Sequence, residues 1–142
     1  MIPYYCNEAM LELPNVRSLF DLTRQLLEIV TEDGAEIEFV IDRARVTPSQ
    51  TLVAAVESSL AERRRSLRGF ELVSFSECEY PDVIGVEARL SFIDKERGPR
   101  FVHEFHCVLG ATRTRCQGSC RLAYATACDE WMQTTLQSLR PR

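Results

Sequence analysis

Asp21-Leu22-Thr23-Arg24-Gln25-Leu26-Leu27-Glu28-Ile29-Val30-Thr31-Glu32-Asp33-Gly34-Ala35-Glu36-Ile37-Glu38-Phe39-Val40-Ile41-Asp42-Arg43 is the stretch whose reading decides the fold. Its first part admits two readings. Leu22, Leu26, Leu27 and Val30 fit one face of a helix, and propensity alone permits that. At period two, Thr23, Gln25, Leu27 and Ile29 share one face, and Arg24, Leu26, Glu28 and Val30 the other. The turn residues 31–34 then lead into 36–43, where Ile37, Phe39 and Ile41 alternate with Glu38, Val40 and Asp42 in a clear strand pattern. A turn of that kind suits a hairpin, so the first part is read as a strand too.

Upstream, residues 4–13 read as one or two short strands that stop at Pro14, which has no N–H for a sheet ladder. Downstream, Thr47-Pro48-Ser49-Gln50 has the form of a helix start, with Thr47 as cap and Gln50 closing a capping box. Leu52, Val56, Leu60 and Leu67 recur at helical spacing, widened by Val53 and Ala61 and interrupted by Arg64. Gly69 supplies a left-handed exit. A helix over 48–68 would be about 30 Å long. Strands over 70–79, 83–93, 101–109 and 113–123 follow, with 94–99 as a charged turn and Gly85 as a candidate bulge. A closing helix over 126–139 buries Trp131, Leu136 and Leu139 and ends before Pro141. This order predicts one α+β domain over 1–142: an antiparallel, curved β-sheet with a long helix and a C-terminal helix packed on it.

Composition narrows the function classes. With 17 Lys and Arg against 21 Asp and Glu, the net charge of −4 argues against a nucleic-acid surface, which needs a basic excess. No apolar run approaches the ~18 residues of a membrane span, and nothing near Met1 reads as a signal peptide, so a cytoplasmic protein is expected. Its six cysteines (Cys6, Cys78, Cys107, Cys116, Cys120 and Cys128) are then expected to be reduced core thiols.

No motif for chemistry stands out. His103, His106, Cys107, Cys116 and Cys120 fall on neighbouring strands, but His103 and Cys107 share a face that His106 does not, and Cys116-x3-Cys120 lacks a tight turn. A Cys–His pair can be drawn from Cys116 or Cys120 across to His103, without the electropositive setting that activates a thiol. Glu12, Glu36, Glu38 and Asp42 read as a solvated strand face, and Arg63-Arg64-Arg65 as a solvated helix end that complements the helix dipole. No catalytic residue, metal or cofactor is therefore expected. Two helices cover only one side of such a sheet in this reading. The other side carries Leu26, Val40 and Val102 among Arg24, Glu28, Glu38, Asp42, Glu104 and His106, as a wet sheet face or a docking groove.

A frame of short signatures spans the chain in order: Tyr4-x3-Glu8-Ala9-x-Leu11-Glu12-Leu13-Pro14, Asp21-x-Thr23, Phe39-Val40-Ile41-x-Arg43, Leu60-x6-Leu67-x-Gly69-Phe70, and Trp131-x4-Leu136-x2-Leu139-x-Pro141-Arg142. This frame resembles the DcrB-related family, and within it the Eag chaperones of bacterial type VI secretion. The resemblance implies a Mog1/PsbP-like sandwich, commonly a homodimer, without enzymatic activity. It implies a partner as well: the N-terminal hydrophobic helices of a secreted effector, shielded from water and passed to the VgrG spike, with no membrane insertion by the chaperone itself. Carried onto this chain, the groove would comprise Arg24, Leu26, Glu38, Val40, Asp42, Ser59 and Glu104. Arg24, Glu38 and Asp42 depart from that pattern, because apolar or small polar side chains are usual there. Covering unpaired charge with an apolar helix is costly, although Arg24 can reach Glu38 or Asp42 across neighbouring strands. The alternative expectation is a binding module of the same fold with a more polar partner, such as an immunity-like or assembly factor.

Overall fold

The deciding stretch forms two paired strands. In the computed structural model, which describes residues 2–5 and 8–141, β3 (Gln25–Val30) runs antiparallel to β4 (Glu36–Arg45), with Leu26 opposite Val40 and Glu28 opposite Glu38. The turn between them is closed by Thr31 N–H donating to the Ala35 carbonyl at 2.9 Å. Ahead of it, β1 (Ile2–Tyr5) and β2 (Met10–Leu13) make a separate two-stranded ladder, as the Pro14 stop predicts. Among the signature residues and cysteines, Cys6 and Arg142 lie outside the described residues.

From β4 the chain crosses through α1 (Leu52–Ser66) to the far edge of the sheet. It returns by hairpins through β5 (Glu71–Tyr80), β6 (Val83–Asp94), β7 (Gly98–Leu109) and β8 (Thr112–Arg121), which pairs with β4. The spatial order β3-β4-β8-β7-β6-β5 is one antiparallel six-stranded sheet. A short turn of 3-10 helix, Leu122–Tyr124, leads into α2 (Ala125–Gln137).

Three local expectations are corrected. Helix α1 starts at Leu52, not Pro48, so it is about 22 Å long rather than 30. Residues 47–50 form a turn instead, with Gln50 N–H on the Thr47 carbonyl at 3.1 Å, and Thr51 is the cap, accepting from Ala54 N–H at 3.1 Å. Gly85 is no bulge: it pairs in register with Cys78 and Cys107, and the irregularity falls between Leu72 and Ser74. Glycine is needed at 85 because a Cβ there would lie 2.1 Å from the His106 carbonyl oxygen. In α2 the buried side is Cys128, Met132 and Leu136, with Trp131, and Leu139 just past the helix end, only half-buried against the same core.

The larger correction concerns where the helices lie. They do not share a side of the sheet. Val56 and Leu60 of α1 pack on Val86, Ala88, Leu90 and Val102, while α2 packs through Cys128, Met132 and Leu136 on Phe39, Phe105, Cys107, Cys116 and Cys120. These two sets alternate along β6 and β7, so they face opposite ways. Gly118 brings α2 close, since a Cβ there would sit 2.7 Å from the Met132 sulfur. In β7 the whole run Phe101 to Cys107 is buried, as befits a strand covered on both faces, but His103, Glu104 and His106 interrupt its apolar pattern, so the sequence did not show it.

Candidate binding site on the open half of the α1 face

Because α1 lies chiefly over β6 and β7, much of the same face of β3, β4 and β8 is left uncovered beside it. Cross-strand register arranges this strip in rows. One row runs Asp42, Arg115, His106, with Arg24, just ahead of β3, beside Asp42; the next runs Leu26, Val40, Gln117, Glu104; a third runs Glu28, Glu38, Ser119, Val102. Six of the seven groove residues implied by the resemblance stand in these rows, and Ser59 borders them from α1.

Their exposure differs sharply. Leu26 is 60% exposed on the edge strand, whereas its neighbour Val40 is only 4% exposed. Glu38, Asp42 and Ser59 are half-buried. Glu104 is wholly buried and is not a surface group at all. Arg63 reaches over it from α1 and donates from Nη1 and Nη2 to its two oxygens at 2.9 and 2.6 Å. The solvated reading of Arg63 is thereby overturned, since this member of the arginine run clamps helix to sheet. On the other side, His106 Nε2 lies 3.1 Å from Glu104 Oε1, and Arg113 Nη2 lies 3.3 Å from His106 Nδ1. A guanidinium has no acceptor to offer, so His106 Nδ1 accepts and Nε2 carries the hydrogen given to Glu104. The imidazole is thus held neutral. Burial, which penalises the charged form, lowers the His106 pKa from its ordinary 6.5, aided by Arg113 and Arg115 and opposed by Glu104. Burial alone would raise Glu104, but the bonds from His106 and Arg63 outweigh it and hold the carboxyl at about 2.

The other two acids of the implied groove also have cations within the chain. Asp42 takes a hydrogen bond from Arg115 and has Arg24 Nε at 3.7 Å, as the across-strand pairing expected for Arg24 requires. Glu38 receives Arg97 at 2.7 Å and has Arg100 at 4.0 Å. Reasoning from the sequence missed Arg63, Arg113 and Arg115. The last two were findable: at period two on one strand they share the face of Gln117 and Ser119.

The opposite face holds the histidine and thiols considered for chemistry. His103 lies between two carboxylates, with Nδ1 2.9 Å from Asp129 of α2 and Nε2 3.3 Å from Glu87 of β6. Glu87 also accepts from Tyr80 and pairs with Arg89 at 2.7 Å. His103 is opposite Gly118, while Cys116 is opposite Phe105 and Cys120 opposite Phe101, so the drawn Cys–His pair does not form. Burial pushes the Cys107 thiol up to about 12 and Cys116 to about 11, the reverse of nucleophile activation. Among the described residues, no three His, Cys, Asp or Glu side chains converge as a metal site, and no helix is long and apolar enough to cross a membrane.

No known protein family matches the chain, and no curated protein matches it. Solved structures do. PA94 from Pseudomonas aeruginosa, a protein of unknown function, superposes with a TM-score of 0.79 at 19% identity, over 100% of this chain and 97% of that one. LpqN of Mycobacterium tuberculosis, involved in cell envelope biogenesis, gives 0.57 at 12% identity, over 80% and 77%. At such identities the likeness shows the fold: an α+β sandwich built on a curved antiparallel sheet.

Proposed function

We propose that this chain is a non-enzymatic chaperone or adaptor that holds an apolar helical segment of another polypeptide on the open strip. In line with the Eag resemblance, the client is the N-terminal hydrophobic region of a type VI effector, held in the cytoplasm by a homodimer before loading onto the VgrG spike. One observation carries the reading. The strip presents the exposed Leu26 above a buried Val40, and each acid at the implied groove positions already has an arginine partner in the chain. An apolar helix laid over these positions would leave none of their three carboxylates unpaired, which removes the main energetic objection there. Glu28, exposed on the edge strand with no ion-pair partner among the described residues, must stay outside its footprint. Each 100 Å² of apolar surface covered contributes roughly 2.5 kcal/mol.

The test is co-expression with the hydrophobic N-terminal segment of a type VI effector. A soluble complex is expected, and Leu26→Asp should abolish it while leaving the circular dichroism spectrum unchanged. Val40 is too buried for the same use. Undiminished complex formation by Leu26→Asp would overturn the proposal. The charged row Arg24, Asp42, Arg115 favours the second reading, a polar partner. That reading requires Arg24→Glu to break a complex that Leu26→Asp leaves intact.

A further inference from the structure

At one end of the strip is a cavity of about 240 Å³, lined by Asp42, Arg43, Ser59, His106, Arg113 and Arg115 among others. Its cations are unequally committed. Arg115 is paired with Asp42, and Arg43 donates to the Thr23 carbonyl at 2.9 Å and to Gln25 Oε1 at 3.1 Å. Arg113 has no carboxylate within ion-pair distance among the described residues; its one polar side-chain contact is the neutral ring of His106. Ser59 presents a hydroxyl with no partner among the described residues. Asp42, the lining carboxylate, is already flanked by Arg24 and Arg115. In a chain of net charge −4, Arg113 and Arg115 share this face with one acid, Asp42.

We infer that this cavity is a carboxylate subsite, in which Arg113 and the Ser59 hydroxyl bind an aspartate or glutamate side chain at one end of the docked apolar segment. A half-buried guanidinium forms its strong bonds with an anionic acceptor, and a planar carboxylate matches its paired N–H donors. His106 accepts from Arg113 on the inner side and so fixes the guanidinium, leaving its remaining donors for the ligand. The owner of the carboxylate rests on the docking reading above; the anion site itself does not.

Two measurements separate these. First, acetate is titrated into the ¹⁵N-labelled protein, with chloride at matched ionic strength as control, following the Arg113 Nε–H and His106 ring resonances. Saturable shifts are expected, and Ser59→Ala and Arg113→Gln should each weaken them. Second, a Leu/Ala-rich helical segment of about 20 residues, carried as a fusion with one terminal glutamate, is compared with its glutamine counterpart, with the residue tried at either end. Glutamate should bind about tenfold tighter, and Ser59→Ala or Arg113→Gln should shrink that ratio. Equal binding of the two segments with unmoved resonances would overturn the subsite and leave the docking reading standing. Acetate shifts without binding of either segment would keep the anion site and overturn the docking reading.

Discussion

Glu104 is the residue on which the α1 face turns. It is a charged side chain in the middle of a central strand with no exposure, a position that is stable only with full compensation. Arg63, 41 residues earlier, supplies the paired guanidinium, and His106 supplies the other hydrogen bond. None of this was legible in the sequence. Period two places Glu104 on the α1 face, but nothing in a pattern of residue types shows which arginine of a run will fold back over it. Removing one partner should leave a buried charge alone, at a cost of about 3–5 kcal/mol. Arg63→Met should therefore lower the urea midpoint strongly. The double variant Arg63→Met with Glu104→Leu should recover most of the loss, as apolar replacement of a whole buried pair often does. A double variant no more stable than Arg63→Met alone would show that the clamp matters through packing rather than charge.

At the scale of the element, alternation succeeded where propensity left the choice open. β3 is a strand because its partner β4 is unmistakable and the turn between them closes a hairpin. The start of α1 failed for the opposite reason. Thr47-Pro48-Ser49-Gln50 satisfies the capping template, yet the chain must still climb from the end of β4 onto the sheet face. A closed turn at 47–50 makes that climb before Thr51 caps the helix. A local template cannot see the height of the step. Thr51→Ala should then cost about 1 kcal/mol, and Thr47→Ala less than about 0.5 kcal/mol. Urea unfolding of the two variants decides between the caps, and the reverse order of effects would restore the earlier start. The side each helix covers was also hidden, because the doubly buried run Phe101 to Cys107 carries His103, Glu104 and His106 and so does not read as an apolar strand.

Across the whole molecule, the two helices are fixed to opposite faces by ionic clusters centred on consecutive residues of β7. His103 faces Asp129 of α2 and Glu87, and Glu104 faces Arg63 of α1. Acid should loosen both. Glu87 and Glu104 are each held at about 2 in the fold against an ordinary 4.5: burial would raise them, but the adjacent His103 ring and the Tyr80 hydroxyl in one case, and His106 and Arg63 in the other, prevail. As pH falls below 4.5 the unfolded chain takes up these protons first. The stability they contribute is whole above 4.5 and is lost between 4.5 and about 2, on the order of 3 kcal/mol for Glu104. His106 acts earlier and in the same direction. Its folded pKa lies below 6.5, so the unfolded chain gains the proton first as pH falls through 6.5, and stability begins to drop there. The urea midpoint should therefore be flat from pH 6.5 up to the ordinary thiol range near 9.0, decline gently below 6.5, and fall steeply under 4.5. His106→Gln should remove the gentle phase and keep the steep one, because an amide offers Glu104 a hydrogen bond without titrating. A wild-type midpoint that stays level from 6.5 to 4.5 would show that His106 is not held neutral. The Arg113 guanidinium would then lack the fixed acceptor that orients it toward the cavity.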